Sequence, residues 1–128
     1  MSETLKVCGL TIERGTKLRT YLPVPDTNVK IPLTIINGEN DGPTLLITAG
    51  IHGGEYPGIA AAMELGRDIE PEHVTGCLIM MHPVNIQGFW ARREMIVPED
   101  GKNLNRVFPG DPTGTLADKT AYLISNNF

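Results

Sequence analysis

Leu45-Leu46-Ile47-Thr48-Ala49-Gly50-Ile51-His52-Gly53-Gly54-Glu55-Tyr56-Pro57-Gly58 is the stretch that decides the fold. Its apolar run, Leu45 to Ala49, predicts a strand buried on both faces, and the glycines after it predict a tight turn. Pro57 suits the first turn of a helix, and Ile59, Ala62, Met63 and Gly66 then recur at the spacing of a narrow apolar stripe. Strand, turn and helix place His52 and Glu55 at one corner, past the carboxyl end of the strand. Open α/β sheets carry their ligand sites along that edge.

An imidazole nitrogen and a carboxylate oxygen are both good zinc ligands, and two glycines between them let the chain fold back so that they converge. Catalytic zinc takes three protein ligands and leaves a place for water, so this pair is two thirds of a site. A second reading stays open beside it, in which His52 bonds within a loop and Glu55 complements the helix dipole.

The flanking sequence extends the pattern in both directions. After Pro71 and Gly76, the run Cys77-Leu78-Ile79-Met80-Met81 predicts a second strand buried on both faces. It should run parallel to the first and deliver His82, Pro83, Val84 and Asn85 near His52. Upstream, residues 5–36 read as two or three antiparallel strands at a sheet edge, with Pro32 demanding an edge or a bulge. Asn37 to Pro43, dense in turn formers, predicts a hairpin into the Leu45 strand.

From Gln87 to Gly114 periodicity gives way to an irregular segment rich in glycine and proline, the mark of a functional loop. Arg106 at its centre can grip a carboxylate through two hydrogen bonds, with a neighbouring Asn amide as a further donor. The equal alternative is that Arg106 pairs with a surface acid. Thr115 to Phe128 reads as a last helix, with Thr115 as N-cap, Asp118 three residues on, and a stripe of Ala117, Ala121, Ile124 and Phe128.

Composition narrows the function classes. A 128-residue chain with 41% hydrophobic residues holds one domain's core, and a net charge of -4 argues against nucleic acid or an anionic membrane as partner. No apolar run approaches a membrane span, and residues 1–20 lack a signal-peptide pattern, so a cytoplasmic protein is expected. Cys8 and Cys77 lie in apolar, strand-like runs and are read as reduced, buried thiols.

Taken together, Gly42-Pro43-Thr44, His52-Gly-Gly-Glu55, Pro83-Val84-Asn85 and Asn103-Leu-Asn-Arg-Val-Phe-Pro-Gly110 resemble the succinylglutamate desuccinylase and aspartoacylase family in content, order and spacing. The resemblance implies an α/β, carboxypeptidase-like mixed sheet with flanking helices, and a zinc-dependent hydrolase acting on the amide of a small N-acylated amino acid. It implies His52 and Glu55 as two zinc ligands, Asn105 and Arg106 as the pair that binds the substrate carboxylate, and Arg93 or Arg92 as a further arginine. Asn103 stands where many relatives have Asp, a change expected to touch a contact around the metal ligands more than the metal itself.

Family members run well beyond this length, and the resemblance places the third ligand, a histidine, and a glutamate general base in that later part. His73 is expected on the opposite sheet edge, and His82 as a structural residue. Residues 1–128 are accordingly read as the amino-terminal part of a catalytic domain, incomplete at the carboxyl end, with edge strands over 1–36 and an α/β core with substrate loop over 44–128. Such a chain is expected to be inactive alone and prone to self-association. A carboxypeptidase-type metallopeptidase and a noncatalytic scaffold are the alternatives.

Overall fold

A computed structural model describes residues 4–128; the first three positions of the expected edge region lie outside the described residues. The chain opens with a hairpin, β1 (Thr4–Val7) and β2 (Leu10–Glu13), paired Val7 to Leu10. Cys8 and Gly9 both take positive φ, +50° and +75°, as a two-residue hairpin turn requires. Cys8 therefore sits in a turn, against the expectation of a strand. Burial pushes its thiol and that of Cys77 up to about 11, and both are free.

The main sheet holds β3 (Thr16–Pro23), β4 (Lys30–Asn37), β5 (Asn40–Thr48) and β6 (Thr75–Met81) in the order β3-β4-β6-β5. β3 and β6 are antiparallel to β4, and β5 is parallel to β6. The predicted hairpin of residues 37–43 is therefore replaced. β6 inserts between β4 and β5, and Gly38 donates its N–H to Gly76 of the inserted strand at 2.8 Å.

Two further expectations change with that order. β5 lies at the sheet edge, so Leu45 is 58% exposed and Leu46 and Ile47 are half-buried. β6, paired on both sides in the interior of the sheet, is instead the strand buried on both faces. Pro32 lies in an interior strand without a bulge. The β4–β6 ladder starts one residue later, at Leu33–Met81, so no donor is needed at Pro32, and its carbonyl accepts the N–H of His82 at 3.1 Å.

Strand alternation divides the core. Ile31, Leu33, Ile35, Cys77, Ile79 and Met81 face one side, where Leu104 and, from α3 (Leu116–Asn127), Ala117, Ala121 and Ile124 join them. Burying each of the larger side chains is worth roughly 1.5–3 kcal/mol. Thr34, on the other face, meets α1 (Tyr56–Asp68) at Gly66, whose missing side chain permits the approach. Ile59 and Ala62 of the predicted stripe are buried, while Met63 turns outward at 47% exposure. α3 begins with the expected capping box of Thr115 and Asp118.

Candidate functional site

β5 ends at Thr48, and α1 begins eight residues later, with the metal-ligand candidates in the turn between them. The carboxyl ends of β5 and β6 are stitched together: Val84 N–H donates to Ala49 at 2.8 Å and Asn85 N–H to Gly50 at 2.9 Å. Residues 82–85 thus arrive at the corner, as expected from the parallel crossover. Asn85 anchors the next segment at both ends, accepting from Gly88 N–H at 2.9 Å to cap α2 (Ile86–Trp90) and donating to the Ile96 carbonyl at 3.1 Å.

At the corner, Nδ1 of His52 lies 2.5 Å from Oε1 of Glu55. Gly53 lets this happen: a side chain there would come within 2.4 Å of the backbone nitrogen of Phe89 on α2. Nε2 of His52 lies 2.9 Å from Oδ1 of Asn103, on the irregular loop, and the same oxygen accepts the N–H of Asn105 at 3.0 Å. The bond to Asn103, then that to Glu55, raises the imidazole pKa above its ordinary value, while burial and the positive charge of Arg106 oppose the rise.

The loop is held from below. Leu104 is wholly buried, and Asp100 Oδ2 accepts the Ala117 N–H at 2.8 Å, capping α3 from outside its own segment. Lys102 Nζ meets Asp118 Oδ2 at 2.6 Å, and with Thr115 this holds the Asp118 carboxyl down at about 2. In the sequence Asp118 reads only as a capping residue and Lys102 does not stand out. The signal for the pair is a lone cation beside the Asn-Leu-Asn-Arg block, in reach of an acidic helix start.

The other candidates sort by position. Asn105 and Arg106 are exposed in a 3₁₀ turn, Leu104–Arg106, and Arg106 forms no ion pair among the described residues. Arg106 is close enough for its charge to act on His52. Arg93 is exposed and no hydrogen bond joins its side chain to the corner among the described residues, although its neighbour Glu94 accepts the Gly54 N–H at 3.2 Å. Arg92, at φ +56°, instead borders a separate cleft with Tyr56, Met63, Phe89 and Trp90. His82 is buried, bonded to Thr34 Oγ1 at 2.8 Å, and burial lowers its pKa; His73 is exposed beyond the far end of α1.

Among the described residues no third His, Cys, Asp or Glu joins His52 and Glu55 in a group able to hold a metal. The two that meet do suit one. Both are donor types a metal takes, and as placed both ring nitrogens of His52 face oxygen atoms that accept hydrogen bonds, contacts that a proton on each nitrogen satisfies.

Among the described residues no helix is long and apolar enough to cross a membrane. Comparison with known proteins gives a consistent assignment. The chain is 43% identical over 108 residues to the N-alpha-acetyl-L-2,4-diaminobutyric acid deacetylase of Halomonas elongata, covering 79% of this chain and 31% of that protein. A succinylglutamate desuccinylase/aspartoacylase from Rhodobacter sphaeroides superposes with a TM-score of 0.78 at 36% identity, over 87% of this chain and 36% of the other. The product-bound ectoine utilization protein EutE of Ruegeria pomeroyi gives 0.78 at 39% identity, over 85% and 35%. The chain thus spans about a third of the length of these relatives. Residues 41–127 match the model of the succinylglutamate desuccinylase/aspartoacylase catalytic domain, and the chain belongs to that family.

Proposed function

We propose that this chain carries the metal corner and carboxylate clamp of a zinc-dependent deacylase that hydrolyses the amide of a small N-acylated amino acid. The observation that carries the reading is the approach of His52 Nδ1 to Glu55 Oε1 at 2.5 Å, with the Asn103–Arg106 loop bonded to the same imidazole. The deacetylase relative, whose name specifies an N-acetylated diamino acid, supports the substrate class.

His52 and Glu55 would hold the zinc. When bound, zinc supplies a Lewis acid that polarises the amide carbonyl and lowers the pKa of water. The side chains of this chain do the positioning. Arg106, exposed and without an ion pair among the described residues, is free to take the substrate carboxylate bidentately, and Asn105 adds an amide donor beside it. In the net reaction water adds to the carbonyl carbon, the C–N bond breaks, and the nitrogen leaves with a proton as the free amine. Two ligands give weak affinity, and the family resemblance assigns the third ligand and the general base to no residue described here. Loss of a general base is worth about a hundred-fold or more in rate.

Calorimetric titration of the purified chain with zinc, followed by assay against N-acetyl amino acids and unblocked peptides, tests the proposal. Weak zinc binding, lost in His52→Ala and in Glu55→Ala, with feeble or no turnover, is the expected result. Zinc binding indifferent to both substitutions would overturn the metal assignment. Tight binding with His52-dependent turnover would mean that a second copy or another residue completes the site, and cleavage of unblocked peptides would make it a peptidase.

A further inference from the structure

A closed circuit of hydrogen bonds leaves the turn that carries His52 and Glu55 and returns to it. The carbonyl of Gly50, two residues before His52, accepts the Asn85 N–H at 2.9 Å. The Asn85 side chain donates through Nδ2 to the Ile96 carbonyl at 3.1 Å, and two residues back along that segment the Glu94 carbonyl accepts the Gly54 N–H at 3.2 Å. At the near end the same amide accepts the Gly88 N–H through Oδ1 at 2.9 Å and so caps α2. A main-chain N–H only donates and a carbonyl only accepts, so the two ends of this amide are not interchangeable. Asn85 is buried, and Gly88 leaves it room: a side chain there would stand 2.7 Å from Nδ2.

The arm held in this way, residues 86–96, is the wall against which the turn closes. A side chain on Gly53 would meet Phe89 N at 2.4 Å, and one on Gly54 would meet Cα of Glu94 at 2.9 Å. Both glycines between His52 and Glu55 are therefore pressed against the backbone of the arm. We infer that Asn85 is a positioning residue: one amide ties both ends of the arm, and through the arm it sets the backbone path of the His52–Glu55 turn. The inference rests on the proposed zinc site for its consequence, not for its geometry. Without the Nδ2 donor the Ile96 carbonyl loses its partner, and the arm is free to lift from Gly54.

Asn85→Ser separates the two ends, because serine caps a helix as well as asparagine does but has no second group to reach Ile96. Amide hydrogen exchange on the metal-free chain reads the result. In wild type the Asn85 side-chain amide protons and the Gly54 N–H should share one opening, with the same denaturant dependence. In Asn85→Ser the Gly54 N–H should exchange about ten-fold faster relative to the core amides of β6, the equivalent of one hydrogen bond, while the Gly88 N–H stays protected. Ile35→Ala, a truncation in the middle of β4, lowers stability without touching the circuit and should speed Gly54 no more than β6. Zinc, titrated calorimetrically, should bind Asn85→Ser about ten-fold more weakly than wild type and Ile35→Ala with affinity near that of wild type. Separate openings in wild type would overturn the inference, and they decide it even if Asn85→Ser fails to fold. So would Gly54 exchange in Asn85→Ser no faster than in Ile35→Ala, or an unchanged zinc affinity. If wild type binds no zinc, the zinc reading fails while the exchange of Gly54 still decides the role of Asn85.

Discussion

The ammonium group of Lys17 on β3 lies 2.8 Å from the carbonyl oxygen of Ile69, just past the last turn of α1. The carbonyls of Gly66 and Arg67 at 3.1 and 3.0 Å and Glu70 Oε1 at 2.9 Å complete a ring of acceptors that shares its three N–H groups. Orphan carbonyls at a helix end carry partial negative charge, and a half-buried cation satisfies them and complements the dipole. Lys17 thereby pins the far end of the helix that begins beside Glu55.

Lys17→Met keeps the alkyl stem and removes the charge. We expect it to cost on the order of 1–3 kcal/mol, read as a lower urea midpoint with unchanged slope. Because the corner lies at the other end of α1, zinc affinity should stay within a few-fold of wild type; a large loss of zinc binding in a stably folded Lys17→Met would show that the helix transmits strain to the site.

Gly53→Ala tests the geometry of the turn itself. An added Cβ would stand 2.4 Å from Phe89 N and 2.6 Å from Gly88 C, both backbone atoms of α2 that no rotamer change can move. Either α2 shifts or the turn opens, and each separates His52 from Glu55. We expect a loss of roughly 1–3 kcal/mol or more, and weaker zinc binding in whatever fraction folds. Gly58→Ala, where nothing lies within 4 Å of the new methyl group, is the control and should be neutral or slightly stabilising.

The turn between β5 and α1 was legible because its chemistry is local: an apolar run, two glycines, a proline in the helix's first turn, and a polar pair between them. The capping box of α3 was legible for the same reason. What could not be read was strand order. Residues 37–43 form a hairpin by every local signal, yet β6, formed from residues almost forty positions away, takes the place beside β4, and hydrophobic content alone does not say which of two apolar runs lies inside. Pro32 misled because proline excludes a donor at one position, not along a whole strand, and the ladder here begins just after it. At the site, the motif named His52, Glu55, Asn105 and Arg106, but the bond from His52 to Asn103 joins residues 51 apart and arises only from the fold.

The brace beneath the Asn103–Arg106 loop makes stability depend on pH in one direction. Lys102 and Thr115 hold the Asp118 carboxyl at about 2, below the ordinary carboxylate value, so the folded state binds that proton less readily than the unfolded state. The stabilisation is complete above the ordinary value, near 4, and is lost as pH falls from there through about 2. Thermal midpoints across that window should decline more steeply for wild type than for Asp118→Asn, which lacks the group. Asp118→Asn should also be less stable at neutral pH by about 1 kcal/mol, the usual cost of a weakened cap. Equal slopes for the two proteins would remove Asp118 from the acid-sensitive part of the fold.

Arg106 should affect the metal and the substrate in opposite directions. Its positive charge acts on His52 from nearby and works against protonation of the imidazole, so it works equally against any other cation placed at Nδ1. Removing it in Arg106→Ala should leave zinc affinity unchanged or raise it by a few-fold. The same substitution takes away the fork proposed to hold the substrate carboxylate, and affinity for an N-acetyl amino acid, followed by titration in the presence of zinc, should fall about ten-fold or more. Arg106→Lys separates the two effects, since it keeps the charge but loses the planar pair of donors. It should restore the wild-type zinc affinity while recovering little of the carboxylate binding. If Arg106→Ala instead weakened zinc and left carboxylate affinity intact, the arginine would be a structural support of the corner, and the clamp would have to be sought at Arg93 or Arg92.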